Sequence, residues 1–576
     1  MDTRAIVKDR LRRQSALESA RSPFEPLWRD AARRCLPVGA DFSNQGNPAA
    51  RADMSDNFDS TAMLALSKFA AALCSIATPP SAKWHTLIPA DPDLADDAEV
   101  TRWCETARDR LFTLRGHHLA NFTASVLEVY RQMGVFGHGA MFVHHDLGRA
   151  IRYMAVPVRE LWFDTDAAGV LDTVHRRYRL TARQALAEFD ADDLPPEIRD
   201  SADKPEARER EFDFLHCVFP NPEHKPERAD FAGKPWLSAH VCNERLVRLS
   251  GFRAMPYLVP RYESIAGSAY GFGPALLALP DIRMLNEMGK TSVRAAHLSV
   301  EPPLLLKDDD LLSPFGLQPA YLNYGGIDDQ GRPTVRALEM GQRLDIGLEF
   351  LQSRQGPVND SFLVTLFQIL VEQPQMTATE VLQRAQEKGV LLAPVMARLQ
   401  SELLGPLAAR ELDILFDIPG ALPPAPPQLV ESGGILRAEY ASPLARTMQA
   451  GGEALGFQRL MEAALPLVRA NPELMDLFNI EEGLRVLSQA VGAPASVLRS
   501  PEEVEALRAQ RAMEALLARA AAAAPGAGGM PGAAELAPGA AEAGLAPEAG
   551  GMPAAGMGPG AAALASLLPG MAEGAS

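Results

Sequence analysis

Apolar residues recur at helical spacing through most of the chain, and the period changes twice. Residues 4–36 place Ile6, Leu11, Leu17, Leu27, Trp28 and Leu36 loosely on one face, which predicts a helix broken at Ser22-Pro23. Residues 60–78 predict a second helix, capped by Asp59 or Ser60 and stopped by Pro79-Pro80. Two more are expected at 100–115 and 120–133, the latter ending at Gly134. The period then becomes two. Residues 139–144 and 151–156 predict strands joined by a turn at 146–148. Strand character continues at 161–164, 170–180, 212–219, 237–242, 245–250 and 257–262, with a short capped helix at 181–190. Residues 134–263 are therefore expected to mix strand and helix.

After Gly271-Phe272-Gly273-Pro274 the helical period returns over 274–300, with Pro280 in the first turns, where it costs least. Residues 301–341 are rich in Pro, Gly and Asp and predict extended chain with turns. A helix resumes near Arg343 and runs to Val371, with Gly356-Pro357 as its weak point. Residues 377–416 form the longest helical pattern, about 60 Å at 1.5 Å per residue, and Pro394 and Pro406 should each bend it. Residues 419–428 predict a stiff proline-rich connector, and 431–520 are expected to be helical in shorter pieces. The fold class is α+β, mainly helical.

Composition changes this picture in three places. The chain has 576 residues, more than one hydrophobic core accommodates. From Ala521 onward, about three-quarters of the residues are Ala, Gly or Pro and none is Lys or Arg. Such a segment buries too little area to offset its ordering entropy, so 521–576 is expected to be disordered. Lys plus Arg number 56 against 73 Asp plus Glu, a net charge of −17, which excludes a general nucleic-acid binder. The five cysteines show no paired spacing, and the first 20 residues lack the apolar core of a secretory signal, so free thiols in a reducing compartment are expected. No apolar run approaches a membrane span.

Candidate chemistry is sparse. Gly134–Gly139 lacks the Gly-Lys-Ser/Thr ending of a phosphate loop and runs from helix to strand, the wrong order for aiming helix N–H groups at phosphate. His144 and His145 are adjacent on a predicted strand, so their side chains point to opposite faces and do not share a metal easily. Asp308-Asp309-Asp310 lacks the spacing of a calcium loop. No catalytic residue, cofactor or metal site is expected, and the chain is not expected to be an enzyme.

Four stretches, in this order and spacing, resemble the head-to-tail connector, or portal, proteins of short-tailed bacteriophages. They are Tyr270–Ala275 with Ala278–Ile282 and Leu285-Asn286, then Met376–Val381 continuing through Gln386-Glu387-Lys388, then Leu399–Leu407, and finally Tyr440–Ala445. Trp28 and the Phe58-Asp59-Ser60-Thr61 helix start fit the same pattern, and the resemblance covers about 1–500.

The resemblance implies a ring of twelve identical subunits at one capsid vertex. A separate terminase drives double-stranded DNA through it, and the tail is built on its outer end. Further implied partners are the major capsid protein, scaffold and tail adaptor proteins. It implies a virion location, with assembly in the host cytoplasm. It also implies a portal fold, set here as wing over 1–267, stem helices over 268–300 and 342–371, and clip over 301–341. A channel loop and long bent wing helix would occupy 372–418, the connector 419–430, a helical crown 431–520 and the tail 521–576. Candidates for the channel or the subunit interface are Lys290 and Arg294 on the first stem helix, Arg343 and Arg354 on the second, and Glu372, Gln373 and Gln375 in the loop; an intersubunit salt bridge is the alternative for each basic residue. An acidic lining would repel the duplex and keep it mobile. Competing readings are an enzyme or ATP-driven packaging component, and a non-portal adaptor or scaffold.

Overall fold

The computed structural model describes residues 3–42, 54–95, 97–146, 150–228, 230–306, 322, 326–327, 330–338, 344–371, 392–440, 460, 483, 504 and 507–516. The chain begins with α1 (Thr3–Arg21) and α2 (Glu25–Cys35), separated at Pro23 as the pattern predicts. In α3 (Thr61–Ala77) the cap is Asp59, whose carboxylate accepts the Thr61 N–H at 3.0 Å and the Thr61 hydroxyl at 2.9 Å. Strand β1 (His85–Pro89) follows, a short element the periodicity does not reveal. Helices α4 (Ala98–Gly116) and α5 (Phe122–Phe136) come next. The expected stop at Gly134 is wrong by three residues. Gly134 lies inside α5, where a Cβ would sit 2.6 Å from Leu66 of α3, and the helix ends instead at Gly137, at φ +82°.

The β region has two main sheets. Strands β2 (Met141–Asp146) and β3 (Ala150–Ala155) form an antiparallel hairpin, with β9 (Tyr257–Leu258) on the other edge of β2. The strand expected over 257–262 shrinks to two residues because Pro256 and Pro260 flank it and cannot donate to a ladder. The second sheet is an antiparallel meander of β4 (Leu161–Thr165), β5 (Leu171–Thr181), β6 (Glu211–Pro220), β7 (Trp236–Cys242) and β8 (Arg245–Phe252). Helix α6 (Ala182–Glu188) starts with a complete Thr181–Gln184 capping box. Together with the unpredicted α7 (Pro196–Asp203) it covers one face of this meander, where Phe189 and Ile198 pack with Phe212 and Phe214. On the other face, Val7 of α1 packs with Leu215, Cys217, Phe219 and Ala239. Both faces are buried, which is why FDFLHCVF reads as an almost continuous apolar run.

Strands β10 (Glu263–Ser264) and β11 (Gly271–Phe272) pair in front of α8 (Pro274–Leu277) and the long α9 (Leu279–Val300). Strand β12 (Leu304–Leu306) then pairs antiparallel with β13 (Val335–Ala337), and α10 (Leu344–Ser361) returns along α9. The break expected at Gly356-Pro357 falls elsewhere. Pro357 is inside α10, and the chain turns at Leu363, at φ +57°, before α11 (Val364–Val371). Helix α12 (residues 392–399) runs through a π-turn at Gln400–Leu404 into α13 (Gly405–Asp417).

The proline-rich stretch that follows is not a free spacer. Its Pro423 carbonyl accepts the Trp103 indole N–H at 3.0 Å, and it leads into α14 (Pro427–Glu431). Residues 436–440 are not helical as expected. They form β14 (Leu436–Tyr440), antiparallel to β1 with His85 opposite Tyr440. Residues 507–516 are helical and fall in a separate compact unit, Pro501–Ser576. The expected channel loop, most of the expected crown and the 521–576 tail lie outside the described residues. All five cysteines are free thiols.

Candidate functional site

The helical hairpin of α9, the β12–β13 ribbon and α10 is the feature around which the rest is arranged. Its root is set by glycine. A Cβ on Gly271 would lie 2.3 Å from the Gly137 carbonyl, and one on Gly273 would lie 2.8 Å from the Met133 carbonyl and the Gly137 nitrogen. Only bare backbone fits where the α5 terminus meets the segment opening α8, which gives the two glycine-rich motifs a shared steric reason. Beside this contact His138 is buried against Trp28 (ring centroids 5.0 Å), Phe163 (5.1 Å) and Tyr270 (5.5 Å). Burial, reinforced by the Arg21 charge, pushes its imidazole down to about 3, so it is neutral packing material at ordinary pH.

Helix α9 is then fastened to the body over its first three turns. Asn286 accepts the Phe58 N–H at 2.8 Å and donates to the Asp56 carbonyl at 2.9 Å. Gly289 lets the Phe58 carbonyl approach to where a Cβ would stand 2.9 Å away. Arg283 Nε donates to Asp30 at 2.6 Å. Beyond Gly289 the helix leaves the body. Val293, Arg294, His297, Leu298 and Val300 are exposed, Val300 by 81%. So are Leu304 and Leu305 in the ribbon and Phe350 on α10.

Three of the seven sequence candidates fall among the described residues. Lys290 sits with its ammonium 5.7 Å from the centre of the Phe58 ring, close to the anchor. Arg354 reaches Asp281 of α9 at 3.5 Å and lies over Phe350 at 5.3 Å, so it joins the two legs of one hairpin. Arg294 is exposed on the outer half of α9. Arg343, Glu372, Gln373 and Gln375 lie outside the described residues.

The sequence reasoning missed two carboxylates of the α12–α13 stretch, one buried and one half-buried. Glu411 is fully buried and accepts from Arg115 Nε at 2.8 Å and from the Tyr153 hydroxyl at 2.5 Å, while Arg115 Nη1 lies 2.6 Å from His85. This network ties together α13, α4, β3 and β1. Glu402, in the π-turn, pairs with Arg261. A charged residue within the Leu403, Leu407, Leu415 stripe is the signal that could have flagged Glu411. Among the described residues, no three His, Cys, Asp or Glu side chains converge as metal ligands, and no helix is long and apolar enough to cross a membrane. His144 is half-buried against Phe142 and His145 is exposed.

Residues 8–498 match the family profile described as "Bacteriophage head to tail connecting protein". A portal protein of Salmonella phage epsilon15 is 27% identical over 515 residues, 88% of this chain and 91% of the relative. A probable portal protein of Bordetella phage BPP-1 is 25% identical over 507 residues, 87% of this chain and 90% of the relative. A solved chain from the neck of an empty GTA particle aligns with 12% identity and a TM-score of 0.34, covering 70% of this chain and 88% of the other, a likeness too slight to carry an argument.

Proposed function

The chain belongs to the bacteriophage head-to-tail connecting proteins, and on that premise we propose that its copies assemble into a ring whose central channel passes double-stranded DNA. The function is that of a portal, the connector between head and tail. In this reading the hairpin of α9 and α10 is the stem, the β12–β13 region the clip, and the body up to about residue 267 the wing. Residues 372–418 supply the channel loop and bent helix, 419–430 a connector, and 431–520 the crown. The observation that supports it best is the asymmetry of the hairpin. Its root is fixed to the body by Asn286 and Gly289, while the apolar residues of its outer half are exposed in the single subunit. Exposed apolar surface of that kind is normally covered by a partner, and in a ring the neighbouring copy supplies it.

Net charge fits the task. Twelve copies at −17 would carry roughly −200, screened beyond about 8 Å at physiological salt. A duplex meets repulsion rather than a counterion-releasing grip. Arg294, Arg343, Glu372, Gln373 and Gln375 are proposed to face the channel or a neighbouring subunit. Terminase during packaging, major capsid protein, scaffold and tail adaptors are the proposed partners, the virion vertex the proposed final location and the host cytoplasm the proposed site of assembly.

The test is an image. Twelve copies of 62.1 kDa make a particle of about 745 kDa, which negative-stain averages should show as a ring with a central hole. A monomer at every concentration and salt, with and without scaffold, would overturn the reading. Titration of the purified chain with ATP and divalent metals should give no heat; binding of either would favour the packaging-enzyme alternative.

A further inference from the structure

Residues 392–417 run as one helix except at Gln400–Leu404, where the turn widens. The Gly405 N–H donates to the Gln400 carbonyl, the i→i−5 bond of a π-turn. Two features select the wider turn. Pro406 has no N–H, and in an unbroken α-helix its ring would press on the carbonyl four residues earlier, that of Glu402. The Glu402 side chain is also held from outside the helix. From there it accepts from the Arg261 backbone N–H at 2.8 Å and from Arg261 Nη2 at 2.6 Å, and within α12 it also accepts from Arg398 Nη1 at 3.2 Å. Arg261 is nearly buried and donates through the same Nη2 to the Gly169 carbonyl at 2.9 Å, so its position is fixed independently of the helix.

On the far side of the turn, Glu411 fixes α13 through Arg115 and Tyr153. The helix is thus fixed by two carboxylates, one within the π-turn and one beyond it. The π-turn reconciles their phases. Leu399 and Leu404, one π-turn apart, are both buried, as are Leu392 and Val395 before them and Leu407 and Leu415 after. Closing the turn to α geometry with all its residues kept would rotate α12 by about 100° relative to α13. That rotation would swing Ala393 and Ala397, now exposed, toward the core and lift Val395 out of it.

We propose that Glu402 and Arg261 are positioning residues that hold 400–404 in the π register and so decide which face of α12 enters the core. The proposal does not depend on the ring reading.

Thiol labelling tests it against a low background, because four native cysteines are buried and burial raises their thiols to about 12 for Cys35 and Cys217 and about 11 for Cys104 and Cys242. Val395→Cys and Ala397→Cys are introduced one at a time into the full chain and labelled with a maleimide at neutral pH. With Glu402 intact, position 397 should label at least about tenfold faster than 395. Glu402→Ala should speed labelling at 395 and slow it at 397. Glu402→Gln, which keeps one acceptor for Arg261, should restore most of the original ratio. Deleting the exposed Ser401 removes the extra residue and keeps the two faces in phase, so in the Glu402→Ala chain it should restore the original ratio at unchanged elution volume; if the deletion does not fold, the Ala and Gln variants decide. An unchanged ratio in Glu402→Ala overturns the proposal. So does faster labelling at 395 with no loss at 397, which is fraying rather than rotation.

Discussion

Around Gly137 two backbones touch with no room for a methyl group, whereas along the outer half of α9 Val293, Leu298 and Val300 stand exposed. The first region is complete within one chain: Trp28, His138, Phe163 and Tyr270 bury one another, and Asn286 and Gly289 bring the root of α9 into the same packing. The second region leaves apolar surface unspent on both legs of the hairpin and on the ribbon between them. The contrast teaches that the body fixes where the hairpin points, while the apolar residues of the hairpin's outer half stay exposed in the single subunit. Substitutions in the two regions should therefore separate stability from assembly.

Among substitutions, the largest expected loss is in the body. Glu411→Ala leaves Arg115 charged and buried without its partner, and denaturant unfolding should show a loss of about 3–5 kcal/mol. A loss below about 1 kcal/mol would show that the network is not a stabilising contact of the body. Next comes Gly137→Ala, which combines a strained positive φ with a Cβ about 2.5 Å from Gly271; it should cost about 2–3 kcal/mol in the same measurement.

Acid should weaken the body progressively. His138, His175 and His240 are pushed down to about 3, chiefly by burial, and His216, stacked 4.0 Å from His240 with Arg176 and Arg248 nearby, is also lowered. They stay neutral when folded but take up a proton near pH 6.5 when unfolded. The stability they allow is thus full above about pH 6.5 and falls below it, by about 1.4 kcal/mol per pH unit for each histidine. Melting temperature should drop between pH 6.5 and 5; a flat profile would contradict neutral burial.

The smallest effect on the subunit belongs to the hairpin. Val293→Asp and Leu298→Asp should change subunit stability by no more than about 0.5 kcal/mol yet abolish rings in negative stain. Intact rings from both variants would erase the contrast between the regions.

Most of this division was legible in the sequence. The helices from α1 to α5 follow from apolar spacing and from breaks at Pro23 and Pro79, and the separate strands of the meander, though not their order, from their strand-like patterning. The first helix of the hairpin followed from the switch of period after Pro274, and the pairing of its two helices from the family resemblance. What escaped were features whose cause lies far along the chain. β1 pairs with a five-residue strand some 350 positions later, which no local pattern announces. Pro406 predicted a bend, but the π-turn beside it also involves Arg261, 141 residues away from Glu402. The four basic candidates were chosen by charge on the hairpin helices, and an amphipathic pattern fixes rotation only to about a third of a turn. Hence Arg354 could be placed on its helix but not matched with Asp281.

The pairing of β1 with β14 also bears on how the subunit is made. The edge of β1 stays open, beside Trp84 and Leu87, until residues 436–440 leave the ribosome. By then α9, the ribbon and α10 have already been synthesised. A nascent chain therefore exposes its apolar outer hairpin while its body is still incomplete, a late closure that raises contact order and the demand for protection during synthesis. Chains cut before Leu436 should be the aggregating ones.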